Sequence, residues 1–329
     1  MIEKWLPEVL IAFLVSVGGT YLLKNWFNKI KIQQLVIRNS AKGPDHQAKA
    51  GTPTMGGAGF IVTIFLLFAL KQIVFGVMNP TSWAIVLSIL LYALVGGFDD
   101  SVKIFEKRDE GFRFLPKLIA EIVAALIAFS LLLWGNFDFI LHLGFMNIQN
   151  VVFFGLFTVI WLVGWSNSVN FSDGLDGLAT GLSILAYGAY LVVALKQGNY
   201  DVVALNALVI GALLGFFVWN QNPAKIFMGD TGSLALGAGL AMNSLVLNIE
   251  WSLLLIGLVF MLETLSVMIQ VGVYHFIQKR VFLMAPIHHA FEKGGWRMDP
   301  KYPWNEWKVD TLFWIVAALM AALYLLIWL

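Results

Sequence analysis

Five short polar clusters interrupt an otherwise strongly apolar chain, and each carries side chains suited to handling phosphate. Gly51-Thr-Pro-Thr-Met-Gly-Gly57 comes first, then Asp99-Asp100. Asn167 and Asn170-Phe-Ser-Asp173-Gly-Leu-Asp176-Gly follow, then Asn220 with Phe227-Met-Gly-Asp230-Thr-Gly-Ser233, and last Pro286-Ile-His288-His289. Asp99, Asp100, Asp173, Asp176 and Asp230, with Lys49, Lys103 and Lys117, make an array suited to phosphoryl transfer. In that chemistry a protein chiefly positions phosphates and neutralises developing charge with Mg²⁺ and cations. The chain has no Walker loop, dinucleotide fingerprint or HExxH helix, so those motifs do not account for the array.

Each cluster also has a plainer reading. Asp99 and Asp100 close an apolar run, where a helix end simply meeting water is the alternative. Adjacent acids at a helix C-terminus oppose the macrodipole, so a compensating cation is expected, either Mg²⁺ or Lys103 one turn on. Asn170, Asp173 and Asp176 recur every third position and would stack on one face of a helix. Their loop contains oxygen ligands and no counter-charge, which suits Mg²⁺, against the alternative of a solvated loop. Asp230 before an apolar run is a good N-cap, although the small residues around it also let phosphate or Mg²⁺ approach the backbone. His288 and His289 are read as loop residues, on the surface or working in phosphate or proton transfer. Glu263 lies inside an apolar run, where a charge is functional or paired, and Gly211 with Gly215 reads as helix packing.

The elements that must position these residues follow from composition. Of 329 residues 59% are apolar and only 12% charged, more apolar surface than one soluble core of this length can hide. A soluble enzyme, a disordered chain and a disulfide scaffold are thereby excluded; with no cysteine, so are thiolate metal sites and cysteine catalysis. Net charge is +1, so no nucleic-acid partner is expected. The chain reads as an all-α polytopic membrane protein with about ten transmembrane helices, near 6–23, 57–73, 83–98, 118–134, 151–169, 175–195, 202–219, 232–247, 251–277 and 311–329. The first is a retained span and not a cleaved signal. Nearly all Lys and Arg fall in the odd-numbered loops, among them Arg38, Lys42, Lys107 and Arg108, which places those loops in the cytoplasm and both termini outside. All five polar clusters share that side, so one cytoplasmic cleft in a single integral-membrane domain (1–329) is expected.

These segments resemble the polyprenyl-phosphate N-acetylhexosamine-1-phosphate transferase superfamily, and within it the phospho-N-acetylmuramoyl-pentapeptide transferase family. The resemblance rests on Lys49-Ala-Gly-Thr-Pro-Thr-Met-Gly-Gly57, Asp99-Asp100-Ser-Val-Lys103, Asn167-Ser-Val-Asn170-Phe-Ser-Asp173-Gly-Leu-Asp176-Gly, Phe227-Met-Gly-Asp230-Thr-Gly-Ser233, Glu263-Thr-Leu-Ser-Val-Met-Ile-Gln270 and Met284-Ala-Pro-Ile-His-His289, in the family's order. It implies transfer of phospho-MurNAc-pentapeptide from UDP-MurNAc-pentapeptide to undecaprenyl phosphate, giving lipid I and UMP, with Mg²⁺ as cofactor. It further implies a bacterial inner-membrane location and a homodimer. By resemblance Asp230 is the principal Mg²⁺ ligand with Asp173, and Asp99 deprotonates the lipid phosphate beside Asp100. His288 and His289 belong to the same catalytic set as Asp173. Lys49, Gly174, Leu175, Asp176, Asn220, Phe227 and Gln270 line the nucleoside side. Lys103 and Lys117 lie near the phosphates, and Asn167 and Asn170 complete the substrate-binding residues. Four departures stand out: Ala290 replaces a usual third histidine, Glu121 replaces a usual glutamine, Gly97-Phe98 precedes the acid pair, and 295–307 is longer than usual. The alternatives are a GlcNAc-1-phosphate transferase acting on the same lipid and a lipid-phosphate transporter. A transporter would place its binding groups near the midplane, as only Glu263 does.

Overall fold

The computed structural model describes residues 2–32, 49, 51–75, 79–106, 111, 113–135, 137–144 and 146–328. Arg38, Lys42, Lys107 and Arg108, counted above with the inner-side charges, lie outside the described residues. The described chain is a bundle of α-helices: α1 (Leu6–Ile30), α2 (Gly57–Phe75), α3 (Pro80–Phe105), α4 (Phe114–Trp134), α5 (Val151–Ser172), α6 (Leu178–Gln197), α7 (Tyr200–Asn220), α8 (Gly229–Val246), α9 (Ser252–Ile256), α10 (Leu258–Ile277), α11 (Ile287–Gly294) and α12 (Glu306–Trp328). Local chemistry fixes several starts. Asn79 accepts from the Thr81 amide ahead of Pro80, Asn150 accepts from the Val152 and Phe153 amides, and Asn199 caps α7.

Among the described residues nine helices are long and apolar enough to cross a membrane. The tenth expected span is present as α8, which falls short of that apolar standard for a physical reason. It packs against α3 and α5 in the middle of the bundle, and every residue from Thr231 to Val246 is buried. Its Gly, Ala and Ser content lets neighbouring backbones approach closely, and a helix wrapped by protein has no lipid to satisfy. Gly211 and Gly215 do the packing expected of them, since a side chain on either would strike the backbone of α1.

Three local readings need correction. α3 continues to Phe105, so Asp99 and Asp100 lie within a helix and not at its end. The span expected at 251–277 is divided into α9 and α10 at Gly257. His288 and His289 lie in the first turn of α11 and not in a loop. Beside the helices, β1 (Ile140–His142) and β2 (Asn147–Gln149) form a short antiparallel hairpin with Ile140 opposite Gln149, which leaves the all-α class unchanged. The hairpin joins the far ends of α4 and α5, and the Trp251 indole N–H donates to the His142 carbonyl to fasten it.

Candidate active site

The acid pair is organised by helix geometry. Asp99 and Asp100 are buried on α3, and Lys103, on the next turn, places its Nζ 2.7 Å from Asp99 and 3.9 Å from Asp100. The same ammonium lies 3.1 Å from Asp230 at the start of α8. Lys117 of α4 closes the group from the other side, 2.8 Å from Asp230 and 3.9 Å from Asp99. Asp100 accepts from the Asp230 and Thr231 backbone amides at 3.1 and 2.9 Å and from the Thr231 hydroxyl at 2.7 Å. An acid thus occupies the positive end of α8, where the first amides lack helical partners. Asn170 of α5 donates to Asp230 at 3.0 Å and to the Ser233 hydroxyl at 2.8 Å. Close approach of α3 and α8 requires Gly96, because a Cβ there would overlap the Asp230 carbonyl.

Asp173 caps the end of α5 in a non-helical conformation, so the three-residue periodicity does not stack Asn170, Asp173 and Asp176 on one helical face. Burial and the Asp230, Asp100 and Asp176 charges push the Asp173 carboxyl up to about 8, against the Gly229 amide bonded to it. Bare Gly174 lets the histidines in: a Cβ there would overlap His288 Nε2. The His288 and His289 rings lie 4.2 Å apart. His288 Nδ1 is 3.1 Å from Glu263, both side chains fully buried, so Glu263 is paired with α11. His289 Nδ1 lies 2.9 Å from Glu292.

Asp176 has the counter-charge its own loop lacks. Lys49 reaches it from 127 residues away, 2.7 Å from Oδ1, while Asn222 and the Ala224 amide bind Oδ2 at 3.2 and 2.8 Å. Lys49 also lies 2.8 Å from Glu306. Burial alone would lower the Lys49 ammonium, yet Asp176 and Glu306 more than offset this and hold it above the usual lysine value. Leu175 is buried beneath this turn. Half-buried Phe227 ties the glycine-rich loops together: its amide donates to Pro53 at 2.8 Å and its carbonyl accepts from Gly56 at 2.8 Å.

Three further residues expected to meet substrate also bond to the protein. Asn220 is buried, accepting from Thr180 at 2.7 Å and donating to the Ile226 carbonyl at 3.1 Å, so it supports the Phe227 segment. The Asn167 amide donates to Glu121 at 2.8 Å and to Val163 at 2.9 Å. The Gln270 carbonyl accepts from the Val281 and Phe282 amides at 3.1 and 3.0 Å. Glu306 joins this cluster although the sequence did not disclose it. An acid in the first turn of a helix reads as a complement to the dipole, and that local explanation hides its long-range partners.

The family model for glycosyl transferase family 4 matches residues 82–248. A phospho-N-acetylmuramoyl-pentapeptide-transferase of Leuconostoc mesenteroides subsp. mesenteroides is 47% identical over 323 residues, 96% of each chain. The chain belongs to the phospho-N-acetylmuramoyl-pentapeptide-transferase family. Proteins of the same name are similar from Lactobacillus johnsonii, 47% identical over 97% of this chain and 98% of the relative, and from Lactococcus lactis subsp. cremoris, 40% identical over 100% and 99%. For this family member the acid cluster lies wholly within residues 82–248, whereas Lys49, His288, His289 and Glu306 reach the same end of the bundle from outside that segment.

Among the described residues no His, Asp and Glu side chains form a ready-made metal cage. Mg²⁺ does not require one, because it keeps several waters and takes one or two carboxylates together with substrate phosphates. Asp99, Asp100 and Asp230 outnumber Lys103 and Lys117, and this oxygen-only donor set fits Mg²⁺.

Proposed function

We propose that the chain transfers phospho-MurNAc-pentapeptide from UDP-MurNAc-pentapeptide to undecaprenyl phosphate, forming lipid I and releasing UMP. The full-length likeness to proteins of that name supports the reaction. The observation that carries the site assignment is the convergence of Asp99, Asp100 and Asp230 on two ammonium groups, from helices 130 residues apart in the chain. The lipid phosphate attacks the sugar-bound phosphorus directly; the new O–P bond forms as the bond to UMP breaks. Asp99 holds the proton taken from the lipid phosphate, and Lys103 and Lys117 shift from carboxylate to phosphate oxygens as the substrates enter. Asp230 and Asp173 are the residues that would hold Mg²⁺, whose chemistry here is to neutralise the donor's diphosphate. Asp173 would hold the ion as its ionised carboxylate. Lys49 and Asp176 receive the nucleoside end beside the half-buried Phe227 ring, and His288 and His289 face the turn between the two clusters.

The odd-numbered connections lie in the cytoplasm of a bacterial inner-membrane protein, so the soluble donor and the lipid meet at the inner leaflet. UMP release should require Mg²⁺ and lipid phosphate in the wild type and fall at least about 100-fold in Asp99→Asn and Asp230→Asn. Trapping a phosphorylated aspartate without lipid would overturn direct attack.

A further inference from the structure

Glu306 opens α12, where any acid would complement the helix dipole, but its bonds run elsewhere. Both carboxylate oxygens lie 2.8 Å from Lys49 Nζ, and Oε2 also accepts the Asp176 backbone N–H at 2.9 Å. These partners are 257 and 130 residues away in sequence. The side chain is 13% exposed, so water screens the contacts only partly. Lys49 is held between Asp176 and Glu306, and the Asp176 side chain is held by Lys49, Asn222 and Ala224. Removing Glu306 therefore frees the ammonium from one of its two anchors and leaves the Asp176 amide without an acceptor, at the turn that also carries Asp173 and Gly174.

We infer that Glu306 is a positioning residue for the nucleoside end of the donor, acting through Lys49 and the Asp176 turn without touching phosphate. This rests on the reading above that Lys49 and Asp176 receive the nucleoside. Lys49 and the Asp176 amide, which the carboxylate binds, belong to that cluster, whereas the lipid-activating Asp99 is paired with Lys103 of its own helix. Loss of Glu306 should therefore weaken donor recognition selectively. It also makes α12, beyond the matched family segment, a working wall of the donor site.

The experiment measures kcat and both KM values by UMP release from full-length Glu306→Ala and Glu306→Gln, with UMP as product inhibitor. Glu306→Ala should raise donor KM by about tenfold or more, weaken UMP inhibition in parallel, and move lipid KM and kcat by less than about threefold. Glu306→Gln keeps an acceptor for the Asp176 amide but loses the charge, and should fall between alanine and wild type. Lys308→Ala, two residues away and packed on the Trp304 ring at 5.0 Å, should leave all constants unchanged. A loss confined to kcat, equal rises in both KM values, unchanged constants, or the same shift in Lys308→Ala would overturn the inference. If Glu306→Ala does not fold, Glu306→Gln decides by the same criteria. A wild type that releases no UMP would instead sink the reaction assignment, and this inference with it.

Discussion

Asp230 sits between two ammonium groups, but an amide aims it. Asn170 binds Asp230 with one hydrogen bond and Ser233 with the other, fixing the carboxylate against the first turn of α8. Groups that orient a ligand matter nearly as much as the ligand itself. Asn170→Ala should cut UMP release by roughly 10–100-fold and raise the half-saturating Mg²⁺ concentration, with a melting temperature close to wild type. An unchanged Mg²⁺ requirement would contradict the orienting role. Asp310 is the opposite case. It is fully buried, and among the described residues neither carboxylate oxygen has a hydrogen-bond partner. A dry, unpartnered polar group costs about 1–3 kcal/mol. Asp310→Leu, of similar size, should therefore raise the melting temperature by a few degrees in detergent; a fall would mean that the carboxyl has a partner in the working protein.

At the scale of elements, the crossing of α3 and α8 decides whether the acids meet. Gly96 and Gly97 are neighbours in sequence with opposite situations. A Cβ on Gly96 would overlap the Asp230 carbonyl, while the nearest atom to one on Gly97 is the Thr231 hydroxyl at 3.6 Å. Gly96→Ala should push the start of α8 away from Asp99 and Asp100 and cost on the order of 100-fold in activity, because small misplacements of a catalytic group are that expensive. Gly97→Ala should retain most of its turnover; equal effects in the two variants would refute the crossing argument. Such crossings were not legible beforehand. The boundary at Asp99-Asp100 was drawn where hydropathy stops, yet the helix runs on to Phe105 and so brings Lys103 back over Asp99. The spacing of Asn170, Asp173 and Asp176 fits a turn as well as a helix, and a left-handed Gly177 after the break at Asp173 decides for the turn. Glu306 could not be paired with Lys49 by any local pattern, since their contact is purely a product of the tertiary fold.

At the scale of the molecule, the one-sided distribution of polar clusters was the informative signal. Lys49, Asp100, Lys117, Asp176, Asp230 and Glu306 come from separate stretches of the chain, and the fold joins them at one end of the bundle. Each of the ten long helices among the described residues coincides with an apolar run of the sequence, although α8, wrapped by protein, is less apolar than the nine that could face lipid. The three-residue strands of the hairpin are too short to register as a pattern at all. This arrangement makes sidedness testable with little interference, since the native chain has no cysteine. Lys225, exposed between α7 and α8, lies on the active-site end, and Asn147, exposed on β2, lies on the hairpin at the other. With the lysine-rich connections inside, Asn147→Cys in intact cells should react with a membrane-impermeant maleimide, and Lys225→Cys should react only after the cells are opened. Both changes avoid the acid cluster, so UMP release should persist and show that the labelled molecules are folded. Labelling of Lys225→Cys from outside, with Asn147→Cys protected, would invert the molecule in the membrane. The cleft would then face away from the cytoplasm, the compartment in which the proposed reaction requires its soluble donor.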